Sequence, residues 1–385
     1  MIKSVIKKYV PNFLIRAKSR IKNRMLKDVY SKKHSNKKVL ISYIVSPFRS
    51  RSHSHTNNYE VVCAAKIFDE LGYRVDVVNY DGVIPALNDY DVIYGFGDVF
   101  KKYFEGDQQK AKTIYYSTGM HVCYQNTMTL LRAKDFYRKK KKWALDSARF
   151  VEKTWSHQSS LVDAIIALGN KECANSFRKF FHEEVYELDA PFFKFHNALE
   201  IIERRNKDAK KSFLWIGSSG AIHKGLDLCL DYFSSRKDLS LHICGLSKSE
   251  RVFLDSYRLE LNQSNIINHG FVDIKSSLFA EILKSCSFVI FPSCSEGGAA
   301  SVITAVGNGA LIPIVSKGSS VTTGYEIELE NLNVDSINKA VLLVESYSDD
   351  QLIDLQSKNL SSVLKKNNID IYYQNLKQYI EKLVR

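Results

Sequence analysis

The stretch Phe288–Ser316, FVIFPSCSEGGAASVITAVGNGALIPIVS, constrains the fold more than any other part of the chain. Phe288–Phe291 is apolar without a break, the pattern of a strand covered on both faces. Pro292 stops it. Ser293–Gly298 then gives a loop of small side chains with one carboxylate, Glu296, and Ala299-Ala300-Ser301 opens a helix. Gly307 and Gly309 close that helix ahead of a second buried strand at Leu311–Val315. A helix start carries unpaired N–H groups and the positive end of the dipole, so it suits an anion such as a diphosphate. Gly297 and Gly298 let that backbone approach closely. By local pattern alone the segment is equally an ordinary βαβ unit or a phosphate site.

The alternation recurs along the chain. Val39–Val45, Val75–Asn79, Asp91–Tyr94, Thr113–Ser117, Ala164–Leu168 and Val185–Leu188 read as strands of a first domain. Phe213–Ile216, Leu239–Cys244 and Asn265–Gly270 read as strands of a second. A helix over Tyr59–Leu71 follows the first strand, with Asn57 and Glu60 spaced as a capping box. Strand–helix–strand alternation predicts parallel sheets with right-handed crossovers, and 385 residues are comfortable for two cores. The expected organisation is a basic arm over 1–38, a first domain over 39–202 and a linker over 203–211. A second domain over 212–366 follows, then a helix over 367–385 that returns to the first. In doubly wound α/β domains ligands bind beyond the carboxyl ends of the strands. His53, His55 and Thr56, in the loop after the first strand, therefore lie where a site belongs, although loop histidines are as often simply solvated.

Charge is concentrated. Residues 1–38 hold 13 Lys/Arg and one acid, Asp28, so the arm carries +12 of the chain's net +13. Ile2, Val5, Ile6, Tyr9 and Val10, then Phe13, Leu14, Ala17, Ile21 and Met25, recur at helical spacing on either side of Pro11. Basic amphipathic helices favour anionic lipid surfaces; a solvated tail or a targeting helix fits the same pattern. No nucleic-acid module follows the arm, so nucleic acid is not an expected partner. A second basic run, Arg132–Trp143, reads as a helix on the first domain, either solvated or in contact with phospholipid or a polyanionic acceptor. The seven cysteines never form Cys-x-x-Cys, which argues for a reducing cytosol and against a zinc site. No apolar run approaches the length of a membrane span, and no signal peptide is expected.

The segment PSCSEGGAASVITAVGNGALIPIVS resembles the C-terminal signature of the group 1 (family 4) glycosyltransferases of GT-B fold. That family shows a Pro-Ser, a Glu-Gly, a short helix and a Gly-x-Pro before a strand. The resemblance covers residues from about 212 to 320, and the first half by architecture alone. It implies two Rossmann-like domains facing across a cleft, and transfer of a hexose-type sugar from a nucleotide-diphosphate donor with retention of configuration. It further implies that no metal or other cofactor is needed. The implied acceptor is a glycan or lipid-linked acceptor in cell-surface polysaccharide or lipopolysaccharide synthesis. With the basic arm, this places the protein in the cytoplasm, peripheral on the inner face of the cell membrane.

Carried over residue by residue, Glu296 faces the donor sugar, and Lys224, at the mouth of a helix beginning at Gly225, neutralises the departing diphosphate. His121, beyond the strand Thr113–Ser117, stands near the reacting carbon by context; a polar loop residue is the alternative. The remaining donor-side positions are Gly217, Ser218, Ser219, Gly245, Phe271, Val272, Gly297, Gly298, Ala299, Ala300, Ser301 and Thr304. Two departures stand out. Thr304 occupies the place of the family's second Glu, the ribose ligand, and Ser218-Ser219 stand where the family has an Arg. A non-catalytic partner in a glycan-assembly complex is therefore the alternative function. Asp89-Tyr90-Asp91 is similar to the Asp-x-Asp of metal-dependent transferases of another fold, but it lies in the wrong half of the chain.

Overall fold

The computed structural model describes residues 24–385 except 33–34, 50–54, 108 and 153–155. Two six-stranded parallel sheets form the framework. The first runs in the order β2-β1-β3-β4-β5-β6, with β1 at Lys38–Tyr43, β2 at Arg74–Asn79, β3 at Val92–Gly95, β4 at Lys112–Ser117, β5 at Ala164–Leu168 and β6 at Glu184–Leu188. The second runs β12-β11-β10-β7-β8-β9, with β7 at Ser212–Ile216, β8 at Ser240–Cys244, β9 at Ile266–Gly270, β10 at Phe288–Phe291, β11 at Ile312–Ser316 and β12 at Ile327–Leu329. Every residue of β5, β7, β10 and β11 is buried, which is why each reads as an unbroken apolar run. The short edge strand β12 carries no such run and has no sequence signal.

Helices of the first unit are α1 (Thr56–Glu70), α2 (Asp98–Phe104), α3 (Val122–Lys140), α4 (Ser156–Ser160) and α5 (Lys171–Arg178). Those of the second are α6 (Ala198–Glu203), α7 (Leu226–Phe233), α8 (Arg251–Ser256), α9 (Ser277–Ser285), α10 (Ala300–Gly309), α11 (Val334–Glu345) and α12 (Asp349–Lys366). The last helix, α13 (Ile369–Val384), crosses back and buries Tyr372, Leu376 and Ile380 in the core of the first unit. Each such side chain contributes roughly 1.5–3 kcal/mol of burial. The crossing is fixed where Asn367 Nδ2 donates to Ala190 O at 2.9 Å and Phe192 N donates to Asn367 O at 3.0 Å.

Three local expectations are corrected. The cap of α1 is His55, whose Nδ1 accepts from Asn57 N, not Asn57 with Glu60. Glu60 is buried instead, accepting from Tyr43 and Tyr116 hydroxyls at 2.6 and 3.1 Å. Residues 1–23 of the basic arm lie outside the described residues, but its end is not a free arm. Leu26 pairs antiparallel with Val77, and Val29 N donates to Val75 O, so this segment lines the open edge of β2.

The third correction concerns the basic run. Helix α3 starts ten residues before Arg132, and one face of it packs on the second unit. Arg132 meets Asp227 at 2.5 Å, Lys139 meets Asp231 at 2.9 Å and Lys140 meets Glu260 at 2.9 Å. Phe136 joins the second unit's core, stacked near Phe253. These cations are interdomain struts, because their carboxylate partners lie on α7 and beside α8.

Candidate active site

Strands β7 and β10 are neighbours in the second sheet, pairing Phe213 with Phe288, although far apart in sequence. The chain order reverses between them, so their carboxyl ends form the switch point at which open α/β sheets hold ligands. The loop after β7 delivers Lys224 and the loop after β10 delivers Glu296. Lys224 Nζ donates to Glu296 Oε1 at 2.6 Å, and Ser293 Oγ donates to the same oxygen at 3.1 Å. The two charged side chains are 8% and 12% exposed. Burial pushes the Glu296 carboxyl up, but Lys224 and then Arg149 outweigh it and hold the group down at about 2. Burial lowers the Lys224 ammonium while Glu296 opposes that shift; at this separation the pair is ionised. His223, buried beside them, is lowered to about 4, chiefly by desolvation, and bonds Thr129 Oγ1 at 3.0 Å and Ser295 O at 2.6 Å.

Next to the pair lies the start of α10. Ala299 N donates to Ser319 O and Glu296 N to Gly318 O. Among the described residues, the amides of Gly297, Gly298, Ala300 and Ser301 have no acceptor. Gly297 is also where the two units touch: a Cβ there would fall 2.5 Å from Thr118 O and 2.8 Å from Gly119 N. Gly298 likewise abuts Gly169. The amide cluster thus faces the first unit at close range.

The other donor-side positions divide. Phe271 is 89% exposed at the end of β9, and Val272 packs against the core beside it. Ser218 and Ser219 are exposed, while Gly217 N and Gly245 N are spent on Cys244 O and Gly270 O. Thr304 is buried, and its hydroxyl donates to Ala300 O at 2.7 Å, so it does not present that group to the cleft. A buried carboxylate with no motif to announce it, Glu250, accepts from Gly220 N and Ala221 N, both at 2.8 Å. It already occupies two amides of the loop after β7.

On the first unit, His121 caps α3, its Nδ1 accepting from Cys123 N at 3.2 Å. Its ring stacks on Phe180 at 4.4 Å, it is 2% exposed, and desolvation lowers its pKa to about 4. It is a buried capping residue behind the loop rather than a group displayed in the cleft. His53 lies outside the described residues; His55 and Thr56 begin α1. A cavity on this unit, about 410 Å³, lies elsewhere, beyond the ends of β2, β3 and β4. Tyr80, Phe96, Gln125, Arg149, Gln158 and Phe177 are among its lining, and neither His55 nor Thr56 is. Asp91 sits at the opposite, amino-terminal edge of the sheet, bonded to Lys38 N.

Two facing Rossmann-like units of this topology are the GT-B glycosyltransferase fold. No family model matches the sequence, and no curated protein matches it. Among solved structures, a glycosyltransferase from Rickettsia africae matches with a TM-score of 0.58 at 9% identity, over 91% of this chain and 99% of that one. Anabaena HepE, in complex with UDP and glucose, matches at 0.55 and 11% identity over 91% and 99%. A variant of S. aureus TarM, in complex with fondaparinux, α-GlcNAc-glycerol and UDP, matches at 0.52 and 16% identity over 84% of this chain and 58% of that one. The chain thus spans little more than half of TarM, and at these identities the likeness is one of fold.

Proposed function

We propose that the protein is a retaining glycosyltransferase moving a hexose-type sugar from a nucleoside-diphosphate donor to a glycan or lipid-linked acceptor. The observation that carries this reading is the Lys224–Glu296 pair set beside four acceptor-free amides at the switch point of the second sheet. A cation and preorganised N–H groups stabilise the charge that grows on a departing diphosphate without reorganisation. The bond from the anomeric carbon to the β-phosphate oxygen breaks, and the acceptor oxygen bonds that carbon on the same face. The acceptor's proton passes to the leaving phosphate oxygen. Glu296 holds sugar hydroxyls, and exposed Phe271 offers a face on which a base stacks. Gly297 must draw back from Thr118 for the donor to reach the amides.

The test is donor binding followed by transfer. Uridine nucleotides come first, because the HepE and TarM complexes hold UDP. Wild-type protein is expected to be stabilised by a nucleoside diphosphate and to turn over one of its sugars. Lys224→Ala is expected to lose about 10²–10³ in turnover, the scale of removing one preorganised donor from a developing anion. The commitment of the Thr304 hydroxyl to its own helix favours a second reading, a non-catalytic partner in glycan assembly. That reading predicts no turnover in the wild type and no change on Lys224→Ala.

We further propose that the protein works at an anionic membrane surface. No helix among the described residues is long and apolar enough to cross a bilayer. Support comes from the charge of residues 1–38 and from the outer face of α3 with the loop after it, where Leu130, Leu131, Tyr137, Trp143 and Leu145 are exposed. Lys134, Lys141 and Lys142 are exposed beside them. Each basic residue near such a surface is worth about 1 kcal/mol. Co-sedimentation with phosphatidylglycerol vesicles should weaken for Lys141→Glu/Lys142→Glu. Unchanged pelleting would remove this face from the account.

A further inference from the structure

Glu296 is held by cations from both sides of the cleft. Lys224 comes from the second unit, and Arg149, in the segment between α3 and α4, comes from the first, with Nη1 3.3 Å from Glu296 Oε2. The backbone that carries Arg149 is pinned. Gln125 Nε2 donates to Arg149 O at 2.7 Å, and Asn126 brackets Val151 through its N–H at 2.9 Å and its carbonyl at 3.0 Å. The stem of Arg149 lies over Gly220, where a Cβ would fall 2.8 Å from Cδ. Its guanidinium therefore enters above Ser218–Gly220, a loop with no cation of its own until Lys224.

Two features say that Glu296 is not this guanidinium's final partner. Its contact is long for a charge-assisted hydrogen bond, which runs about 2.7–2.9 Å. The side chain is 45% exposed, and its Nε and Nη2 have no acceptor among the described residues. Two cations and one carboxylate also leave the cluster with an excess positive charge beside the open amides of α10, because His223 is neutral. Arg149 lines the first unit's cavity as well, so it stands where the two half-sites meet.

We infer that Arg149 is the second diphosphate-binding cation of this site, delivered across the cleft from the first unit and exchanging Glu296 for phosphate oxygens when the donor binds. The inference rests on the donor reading above and adds that the diphosphate is gripped from both units, so tight binding requires the closed arrangement.

The experiment is calorimetric titration of the full chain with UDP and, separately, with inorganic pyrophosphate. Wild type, Arg149→Gln, Arg149→Lys and Lys224→Gln are compared. Hydrogen bonds to charged groups are worth about 1.5–3 kcal/mol, so Arg149→Gln should weaken both probes about 10- to 100-fold. Arg149→Lys should recover part of the loss, and the melting temperatures should remain close because Arg149 is half exposed. If Lys224→Gln weakens binding while Arg149→Gln binds as tightly as wild type or tighter, Arg149 is a latch on Glu296 and the inference falls alone. If the wild type binds neither probe, the donor reading falls and takes the inference with it.

Discussion

Replacing Arg132 with Met removes half of a charge pair whose side chains are 3% and 1% exposed. Besides the 2.5 Å contact, Arg132 Nε and Asp227 Oδ1 have no hydrogen-bond partner, so each charge depends heavily on the other. Breaking a buried pair on one side costs about 3–5 kcal/mol, whereas replacing both partners by apolar groups is often neutral. Arg132→Met should therefore lose about that much in urea unfolding followed by tryptophan fluorescence, for which fully buried Trp215 reports the second core. Arg132→Met/Asp227→Leu should recover most of it. The pH dependence gives a second signature. Burial lifts the Asp227 carboxyl and Arg132 opposes that shift, so without Arg132 the folded group holds its proton well above the unfolded value of about 3.9. A folded state that binds the proton more tightly loses stability as pH rises through that window, so the penalty should be smaller at pH 5 than at pH 8. A single-variant loss under 1 kcal/mol, or a double variant as unstable as the single, would refute the reading of α3 as an interdomain strut.

Three further outcomes are expected. Phe271→Ala should leave unfolding within about 0.5 kcal/mol, because the ring is 89% exposed, yet weaken UDP by about 1–3 kcal/mol through lost base stacking; equal affinities would place the base elsewhere. Gly297→Ala puts a methyl 2.5 Å from a backbone oxygen of the other unit, so small-angle scattering should show a larger radius of gyration than wild type. Acid should destabilise the protein in two windows. His121 and His223, both depressed to about 4, lose stability as pH falls from about 6.5 toward 4. Glu296, held down at about 2 by Lys224 and Arg149 against its burial, loses its contribution as pH falls from about 4.3 toward 2. His223→Asn should shrink the first window without abolishing it, because His121 and His242 are depressed in the same way, seen in urea midpoints at pH 7.5 and 5.

The inner strands, unlike edge strand β12, are legible because a strand buried on both faces leaves a continuous apolar run, as in Phe288–Phe291 and Ala164–Leu168. The start of α10 and the glycines before it were legible for a similar reason, since small residues between a strand and a helix have few other uses. Relations made by topology were not. Arg132, Lys139 and Lys140 look like a solvated run because Asp227, Asp231 and Glu260 lie 95, 92 and 120 residues away. Glu250 and Arg149 carry no motif, and their partners are chosen by how loops fold over the sheet ends. The strand pattern puts His121 beyond β4, where it lies, but nothing in the sequence says that its ring turns onto Phe180. Thr304 shows the same limit at one atom: the hydroxyl at the position where the resemblance implies a ribose ligand is spent on its own helix.

The central claim is that an ammonium and the amides opening α10 hold a diphosphate. A crystal structure with UDP bound tests it most directly. The account predicts the β-phosphate within hydrogen-bond distance of Lys224 Nζ and of amides between Gly297 and Ser301, with the uracil near Phe271. A diphosphate found elsewhere, with Lys224 still closed on Glu296 and those amides untouched, would contradict it.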